Sequence, residues 1–421
     1  MSEIGFPRGV RDLLPNEAIF RNGLIGKIEE VYRRFGFTTI DTPMIEHMSV
    51  LGAKGGIGEE GELIMKLDGE NLGLRYDQTV SLARYFAMHS DLPLPFRRYA
   101  IGKAWRNDEP QRLRYREFIQ ADVDVIGGRA DAANAEVLAA TAIIFDEVGM
   151  KYSIRISDRR LVESVFRKIG VPDALVPKVE HIIDKLLKIG RDNVFKMLVD
   201  AGLQEQIAEQ VMELVGTKGS NDEIISYAEN SAADPKSSAE LKGTLELLKE
   251  YRINGDIVID LSIMRGLDYY TSMVFEFMPE GDSHSIAAGG RYDNLIGVYA
   301  ARSVPCVGCS IGVDTVATLM DFSSSTEHTY ARVFVMHIKD QNYRYALGVA
   351  NKLREAGIPT DINTAARNIS NQLSYANSLR IKYAAIVGPE EEKLGQVKIR
   401  DLVSGDERTL AVEDAIKLIK G

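Results

Sequence analysis

Along residues 96–127 the chain alternates apolar and polar positions in two runs that flank Asn107-Asp108-Glu109-Pro110-Gln111, a pattern that predicts a β-hairpin. In the second run a period of two places Arg114, Arg116, Phe118, Gln120, Asp122 and Asp124 on one face. Tyr115, Ile119, Ala121, Val123 and Val125 fall on the other. Residues 256–288 and 303–311 carry similar β-rich runs joined by Pro, Gly and Asp turns, so an antiparallel sheet is expected. Between these blocks, roughly residues 161–251, the chain turns helical and rich in Lys, Glu and Leu, with a polar break at 217–221. This predicts a helical insertion within the sheet domain.

A polar stretch at 321–329 reads as a linker. After it come a short β-rich run (333–337), helical spacing (343–355), a turn (357–359) and a second helix (368–379). Strand-like runs at 383–387 and 397–402 and a closing helix at 412–420 complete a small α/β domain with a parallel or mixed sheet. No repeat at a solenoid period is visible.

Composition sharpens this picture. With 421 residues, 45% apolar and 27% charged, the chain has globular composition for two or three domains. The first residues lack a basic region followed by an apolar run, and no stretch has the 18 or more apolar residues of a membrane span. A soluble, cytoplasmic protein is expected, with no membrane partner. The net charge of −10 argues against a generic polyanion binder. The 331–421 segment alone is basic, with 14 Lys and Arg against 11 Asp and Glu, whereas the other 330 residues have 37 against 50. That points to a nucleic-acid partner for the C-terminal domain. Cys306 and Cys309 have no second Cys or His pair in reach of a zinc pattern and are expected in the core; no bound metal site is expected of the protein itself.

The polar face of the hairpin carries the chemistry. Guanidinium groups suit phosphate oxygens, a phenyl ring suits a stacked base, and the amide and carboxylates suit a second, cationic ligand. A solvated sheet face is the alternative reading of these residues alone. Gly289-Gly290, Gly308 and Gly312 allow a ligand to approach the backbone closely, or mark ordinary turns.

Arg106, followed by Arg114-Tyr115-Arg116-Glu117-Phe118 and Gln120, resembles motif 2 of the class II aminoacyl-tRNA synthetases. Arg265-Gly266-Leu267-Asp268-Tyr269-Tyr270-Thr271 resembles the signature of the histidyl-tRNA synthetases, and Ala288-Gly289-Gly290-Arg291-Tyr292-Asp293 their second histidine motif. Pro7-Arg8-Gly9-Val10-Arg11-Asp12, Leu74-Arg75-Tyr76-Asp77-Gln78-Thr79, a motif 1 at Phe37-Thr38-Thr39-Ile40-Asp41-Thr42-Pro43 and a motif 3 at Gly308-Cys309-Ser310-Ile311-Gly312-Val313-Asp314 extend the similarity over nearly the whole chain.

The resemblance implies an α+β chain. Residues 1–325 would form the class II catalytic domain, with the helical insertion at about 160–252, and 330–421 the anticodon-binding domain. It implies a homodimer joined through the catalytic domain, ATP as substrate with Mg2+ bound to it, and L-histidine and tRNA-His as partners. Arg106 would hold the α-phosphate and Arg265 would be the second catalytic cation. Asp108 would read the adenine amino group, Phe118 would stack on the base and Arg114 would meet the outer phosphates. Asp77, Thr79 and Gln120 would take the α-ammonium of histidine, and Asp124, Tyr270 and Tyr292 would surround the imidazole, with Tyr269 and Arg265 also at the histidine site. The tyrosines suit a hydrophobic core equally well. The rival within the resemblance is a synthetase-like, histidine-binding regulatory subunit of ATP phosphoribosyltransferase, which lacks a tRNA-reading domain. Two departures stand out: Glu109 occupies a motif 2 loop position where some relatives have Arg, and Thr315 follows Asp314 where motif 3 ordinarily ends in Arg.

Overall fold

A computed structural model describes residues 4–53, 63–231, 234–264, 269–321, 327–365 and 368–421. The chain forms two compact units, one of Met1–Arg11 with Leu24–Met320 and one of Asp12–Gly23 with Asp321–Gly421.

The first unit is built on an eight-stranded sheet. In chain order its strands are β1 (Thr38–Thr39), then, after a separate three-stranded sheet of β2 (Ile45–His47), β3 (Lys66–Leu67) and β4 (Leu72–Leu74), β5 (Phe96–Trp105) and β6 (Glu117–Ile126). β7 (Tyr152–Asp158), β8 (Asp256–Ile259), β9 (Met273–Pro279), β10 (Ala287–Arg291) and β11 (Cys306–Gly312) follow. Their spatial order is β1-β5-β6-β11-β10-β9-β7-β8. The six central strands pair antiparallel, as the alternating pattern predicts, but β1 runs parallel to β5 and β8 parallel to β7. The parallel edges escape sequence reading because β1 has two residues and β7 and β8 are joined by the whole helical insertion, whose helices run from Arg159–Ile169 to Pro235–Glu250.

One face of this sheet is sealed. Helix Ala130–Glu147 buries an almost unbroken apolar set, including Val137, Leu138, Ile144 and Phe145, because it packs on β11 and β6 and also beneath helix Pro235–Glu250. A helix covered on two sides has no need of a polar stripe. The opposite pleat of β6 sends Phe118, Gln120, Asp122 and Asp124 into a cleft. Arg114 and Arg116, expected on the same strand face, precede β6 and belong to the loop 106–116. There Gln111 and Arg114 close a tight turn with reciprocal backbone bonds of 3.2 and 3.0 Å. Leu113 takes φ 64° to complete it, a left-handed conformation that costs a non-glycine residue about 1 kcal/mol.

In the second unit a five-stranded sheet has the order β13-β12-β14-β15-β16, with β12 (Val333–His337), β13 (Thr360–Ile362), β14 (Tyr383–Val387), β15 (Gln396–Asp401) and β16 (Glu407–Ala411). β13, β12 and β14 pair in parallel and β15 and β16 antiparallel, a mixed sheet. Helices Tyr343–Glu355, Ile369–Ser378 and Val412–Lys420 fall where helical spacing predicts them. The three-residue β13 and helix Pro389–Leu394 carry too few periodic positions to be read beforehand, and the mostly exposed β16 opens with polar residues that give no strand signal. Much of the expected linker, residues 322–326, lies outside the described residues.

Candidate active site

On the open face of the eight-stranded sheet lies a cleft of about 930 Å3. Its wall brings together Asp77, Thr79, Arg106, Asp108, Arg114, Phe118, Gln120, Asp124, Tyr269, Tyr270 and Tyr292, residues spread over more than 200 positions of sequence. Arg265 lies outside the described residues, as do Gly266, Leu267 and Asp268.

At one end the acids are deeply buried. Asp77 precedes helix Thr79–Met88; its Oδ1 accepts from the Val80 amide at 3.0 Å and its Oδ2 from the Tyr269 hydroxyl at 3.0 Å. Burial raises its pKa above the usual carboxylate range. Asp124 sits opposite Arg98 in the β5–β6 register, and Arg98 Nη2 lies 2.8 Å from its Oδ2. Tyr292 donates to Asp124 Oδ1. Burial raises Asp124 as well, with the Arg98 charge opposing. Asp122, which the resemblance assigns no role, also lines the cleft, and burial foremost pushes it up to about 7 despite the neighbouring Arg98. Three carboxylates gather here around two buried guanidiniums, Arg98 and Arg75, an excess of acid that suits a cationic ligand.

Tyr269, Tyr270 and Tyr292 form an aromatic wall. Ring centroids are 5.0 Å apart for the first two and 5.9 Å for Tyr269 and Tyr292, both edge-on. Tyr269 and Tyr292 also belong to a hydrophobic cluster with Phe86, Leu295 and Cys306, so core and cleft wall are one surface here. Gly289, Gly308 and Gly312 line the cleft, and two of them also serve packing. A Cβ on Gly308 would stand 2.0 Å from Asp124 Oδ1, and one on Gly289 2.1 Å from the Gly308 carbonyl. Their lack of a side chain lets the strands and the Asp124 carboxylate pack closely. Cys306 and Cys309 are buried free thiols, and burial pushes both up.

The other end is built by the 106–116 loop. Arg106 donates from Nε to the Tyr76 carbonyl at 3.0 Å and lies over the Phe118 ring, 5.1 Å from its centroid. Arg114 is 3.8 Å from the Asp108 carboxylate. Arg116 holds the loop from behind, donating from Nε to the Asp108 carbonyl at 2.9 Å and from its amide to Gly9 O at 2.7 Å. A ring, two cations and a carboxylate thus converge around space for a nucleotide.

Several cleft residues were missed. Arg159, Glu180, His181, Asp184 and Lys185 enter from the insertion. Arg159 donates to the Tyr270 carbonyl at 2.9 Å and to Glu180 at 2.6 Å, joining the insertion to the tyrosine wall. Nothing local in a helical run marks such residues. Arg98 could have been found as an inward arginine directly across a hairpin from Asp124.

A largely antiparallel sheet whose arginine-bearing hairpin faces a cleft, with a second α/β domain after it, defines the class II aminoacyl-tRNA synthetase architecture. Residues 9–316 match the family model described as histidyl-tRNA synthetase, and residues 332–421 that of an anticodon binding domain. The chain belongs to the histidyl-tRNA synthetase family. It is 39% identical over 95% of its length to a histidine–tRNA ligase of Korarchaeum cryptofilum, covering 95% of that protein. Its structure matches a histidyl-tRNA synthetase from Nostoc sp. PCC 7120 with TM-score 0.88 and 29% identity, covering 100% of this chain and 99% of the other. A Bacillus halodurans structure titled as an ATP phosphoribosyltransferase regulatory subunit/histidyl-tRNA synthetase shares the fold at TM-score 0.77 and 19% identity, covering 92% and 98%.

Proposed function

We propose that this chain is an ATP-dependent histidine–tRNA ligase. The histidine carboxylate attacks the α-phosphorus of ATP, pyrophosphate leaves, and the adenylate then passes histidine to a ribose hydroxyl at the 3′ end of tRNA-His, releasing AMP. The observation that carries this reading is the single cleft in which buried carboxylates and tyrosines meet a phenyl ring flanked by arginines.

In this reading Asp77, Thr79 and Gln120 receive the α-ammonium, and Asp124, Tyr269, Tyr270 and Tyr292 enclose the imidazole. Phe118 stacks on adenine, Asp108 accepts from its amino group, and Arg114 meets the β- and γ-phosphates. Arg106 and Arg265 are the catalytic cations at the α-phosphate, where fixed positive charge is worth on the order of 3 kcal/mol in the transition state. Arg265 also borders the histidine site. Magnesium would enter with ATP and neutralise the departing pyrophosphate. Glu276 on β9 is a hard oxygen donor in the cleft wall that would share such a cation with the phosphate oxygens.

The functional division is a catalytic domain of 1–325, with its insertion at about 160–252, and an anticodon-binding domain of 330–421. The protein acts in the cytoplasm; no helix among the described residues is long and apolar enough to cross a membrane. A homodimer through the catalytic domain is supported by the exposed apolar side chains of Met44 and Ile45, which directly follow motif 1 in the sequence. ATP–pyrophosphate exchange with each amino acid in turn tests the reading. Exchange with histidine alone is expected; histidine binding without exchange would favour a regulatory subunit.

A further inference from the structure

Gln120 is almost fully buried in the cleft wall, and its two amide ends are treated differently. Its Nε2 donates to the Ser310 hydroxyl at 2.8 Å, whereas its Oε1 is buried with no hydrogen-bond partner. An unmet acceptor in the wall of a ligand cleft calls for a donor that the protein itself does not supply. Which end of an amide is left for the ligand depends on what holds the other end.

The sheet register supplies the hold. Asp122 lies directly across from Ser310 in the β6–β11 pair, and Gln120 is across from Gly312, so Ser310 is within reach of both side chains on the same face. Ser310 accepts from Gln120 and faces the Asp122 carboxyl across the strand pair, where its hydroxyl favours the ionised form. A hydroxyl has one proton. Above about pH 7, where Asp122 is ionised, its carboxylate can only accept, so the Ser310 proton goes to it and the Ser310 lone pair is left for the Gln120 NH2. With the chain Gln120 NH2 to Ser310 to Asp122 set in that direction, rotating the amide would face its oxygen to a lone pair.

We propose that Ser310 and Asp122 are positioning residues that fix the Gln120 amide with its oxygen available to the α-ammonium of histidine. They act through Gln120 and select for a ligand carrying a cationic donor. This rests on the reading of Gln120 as an ammonium acceptor.

The test compares two competitive inhibitors of histidine-dependent exchange at about pH 8, where Asp122 is ionised. Histidinol keeps the ammonium, and 3-(imidazol-4-yl)propionate keeps the imidazole and lacks the amine. Ser310→Ala is expected to weaken histidinol about tenfold, the scale of one lost charge-assisted bond, while leaving the propionate and the KM for ATP nearly unchanged. Ser310→Cys, which offers only a weak acceptor of similar size, is expected to show the same selective loss and serves if the alanine variant does not fold. Gln120→Ala fixes the reference. If it weakens histidinol selectively and the Ser310 variants weaken both inhibitors equally or neither, the positioning role is overturned and the acceptor role of Gln120 stands. If Gln120→Ala itself shows no selectivity, the acceptor reading fails and the inference falls with it.

Discussion

Arg98 Nη2 lies 2.8 Å from Asp124 Oδ2, with the two side chains 1% and 2% exposed. Two charges this far from water are held by each other, so removing one leaves the other stranded, a loss of roughly 3–5 kcal/mol for a buried pair. Arg98→Met is therefore expected to lower the melting temperature sharply. Asp124→Asn removes the carboxylate that also takes the Tyr292 hydroxyl, and it is expected to weaken histidine by about 1.5–3 kcal/mol while sparing ATP. An equal loss for both substrates in the exchange assay would mean that the site had collapsed.

Asp122 gives the protein a pH-dependent weakness. Burial, aided by Asp124 and Asp77 and opposed by Arg98 and the Ser310 hydrogen bond, pushes its carboxyl up to about 7, against roughly 3.9 in an unfolded chain. Between those values the folded protein holds a proton that the unfolded chain has lost. This contribution to stability is complete below about pH 4 and disappears as the pH rises through 7. Asp122→Asn should therefore melt higher than the native chain at about pH 8 and alike at about pH 4, and the reverse order would refute the assignment.

Arg159 is the fastening between the insertion and the tyrosine wall. Its guanidinium reaches the Tyr270 carbonyl and both oxygens of Glu180 at once, a geometry that a lysine ammonium cannot copy. Arg159→Lys keeps the charge and is expected to raise the KM for histidine several-fold with a smaller effect on ATP, because what loosens is the backbone carrying Tyr269 and Tyr270. Unchanged histidine KM in a folded Arg159→Lys protein would reduce the contact to a stabilising one.

The hairpin and the cleft-facing pleat of β6 were legible because period-two alternation over ten residues has one structural solution, and Phe118, Gln120 and Asp124 follow from it directly. The helices of the second unit were legible for the same reason, at period 3.6. Arg114 was placed on the strand because alternation carries on through Arg114-Tyr115-Arg116, whereas the backbone turns at Leu113. That turn is a loop geometry with no periodic signature. The buried network behind the cleft was only partly legible: period two puts Asp122 on the polar face, but its pairing with Ser310 and that of Asp124 with Arg98 come only from cross-strand register. Arg159 and Glu180 meet the wall through a tertiary contact with Tyr270, 111 residues from Arg159.

For Arg265 the resemblance and the chemistry of adenylation lead to a kinetic expectation. A cation that meets the α-phosphate as charge develops there acts in the transition state, so Arg265→Ala should lower kcat for exchange much more than it raises the KM for histidine. If the loss falls mainly on KM, the residue binds substrate without stabilising the reaction.

Thr315 stands where motif 3 ordinarily carries an arginine that grips the γ-phosphate, and its hydroxyl is turned to the Leu113 carbonyl at 3.4 Å. It brings no charge to the cleft. Three arginines are candidates for the missing charge, Arg112 and Arg114 in the motif 2 loop and Arg302 ahead of motif 3, and they differ in what holds them. Arg112 donates to Asp282 at 2.7 Å, and Arg302 reaches the Ser90 carbonyl at 3.5 Å; neither lines the cleft. Arg114 does line it together with Thr315, and its nearest carboxylate, Asp108, is 3.8 Å away, a loose pairing from which a phosphate can draw it. Arg114 is therefore expected to supply the missing charge, and Arg114→Ala should raise the KM for ATP about 5- to 30-fold, the difference between a charge-assisted and a neutral hydrogen bond. Arg112→Ala and Arg302→Ala should leave that KM nearly unchanged. The decisive variant is the double replacement Arg114→Ala with Thr315→Arg. If the arginine at 315 restores the KM lost at 114, the two positions serve one phosphate; if it lowers the KM of the otherwise native chain tenfold while Arg114→Ala does nothing, the vacancy is unfilled.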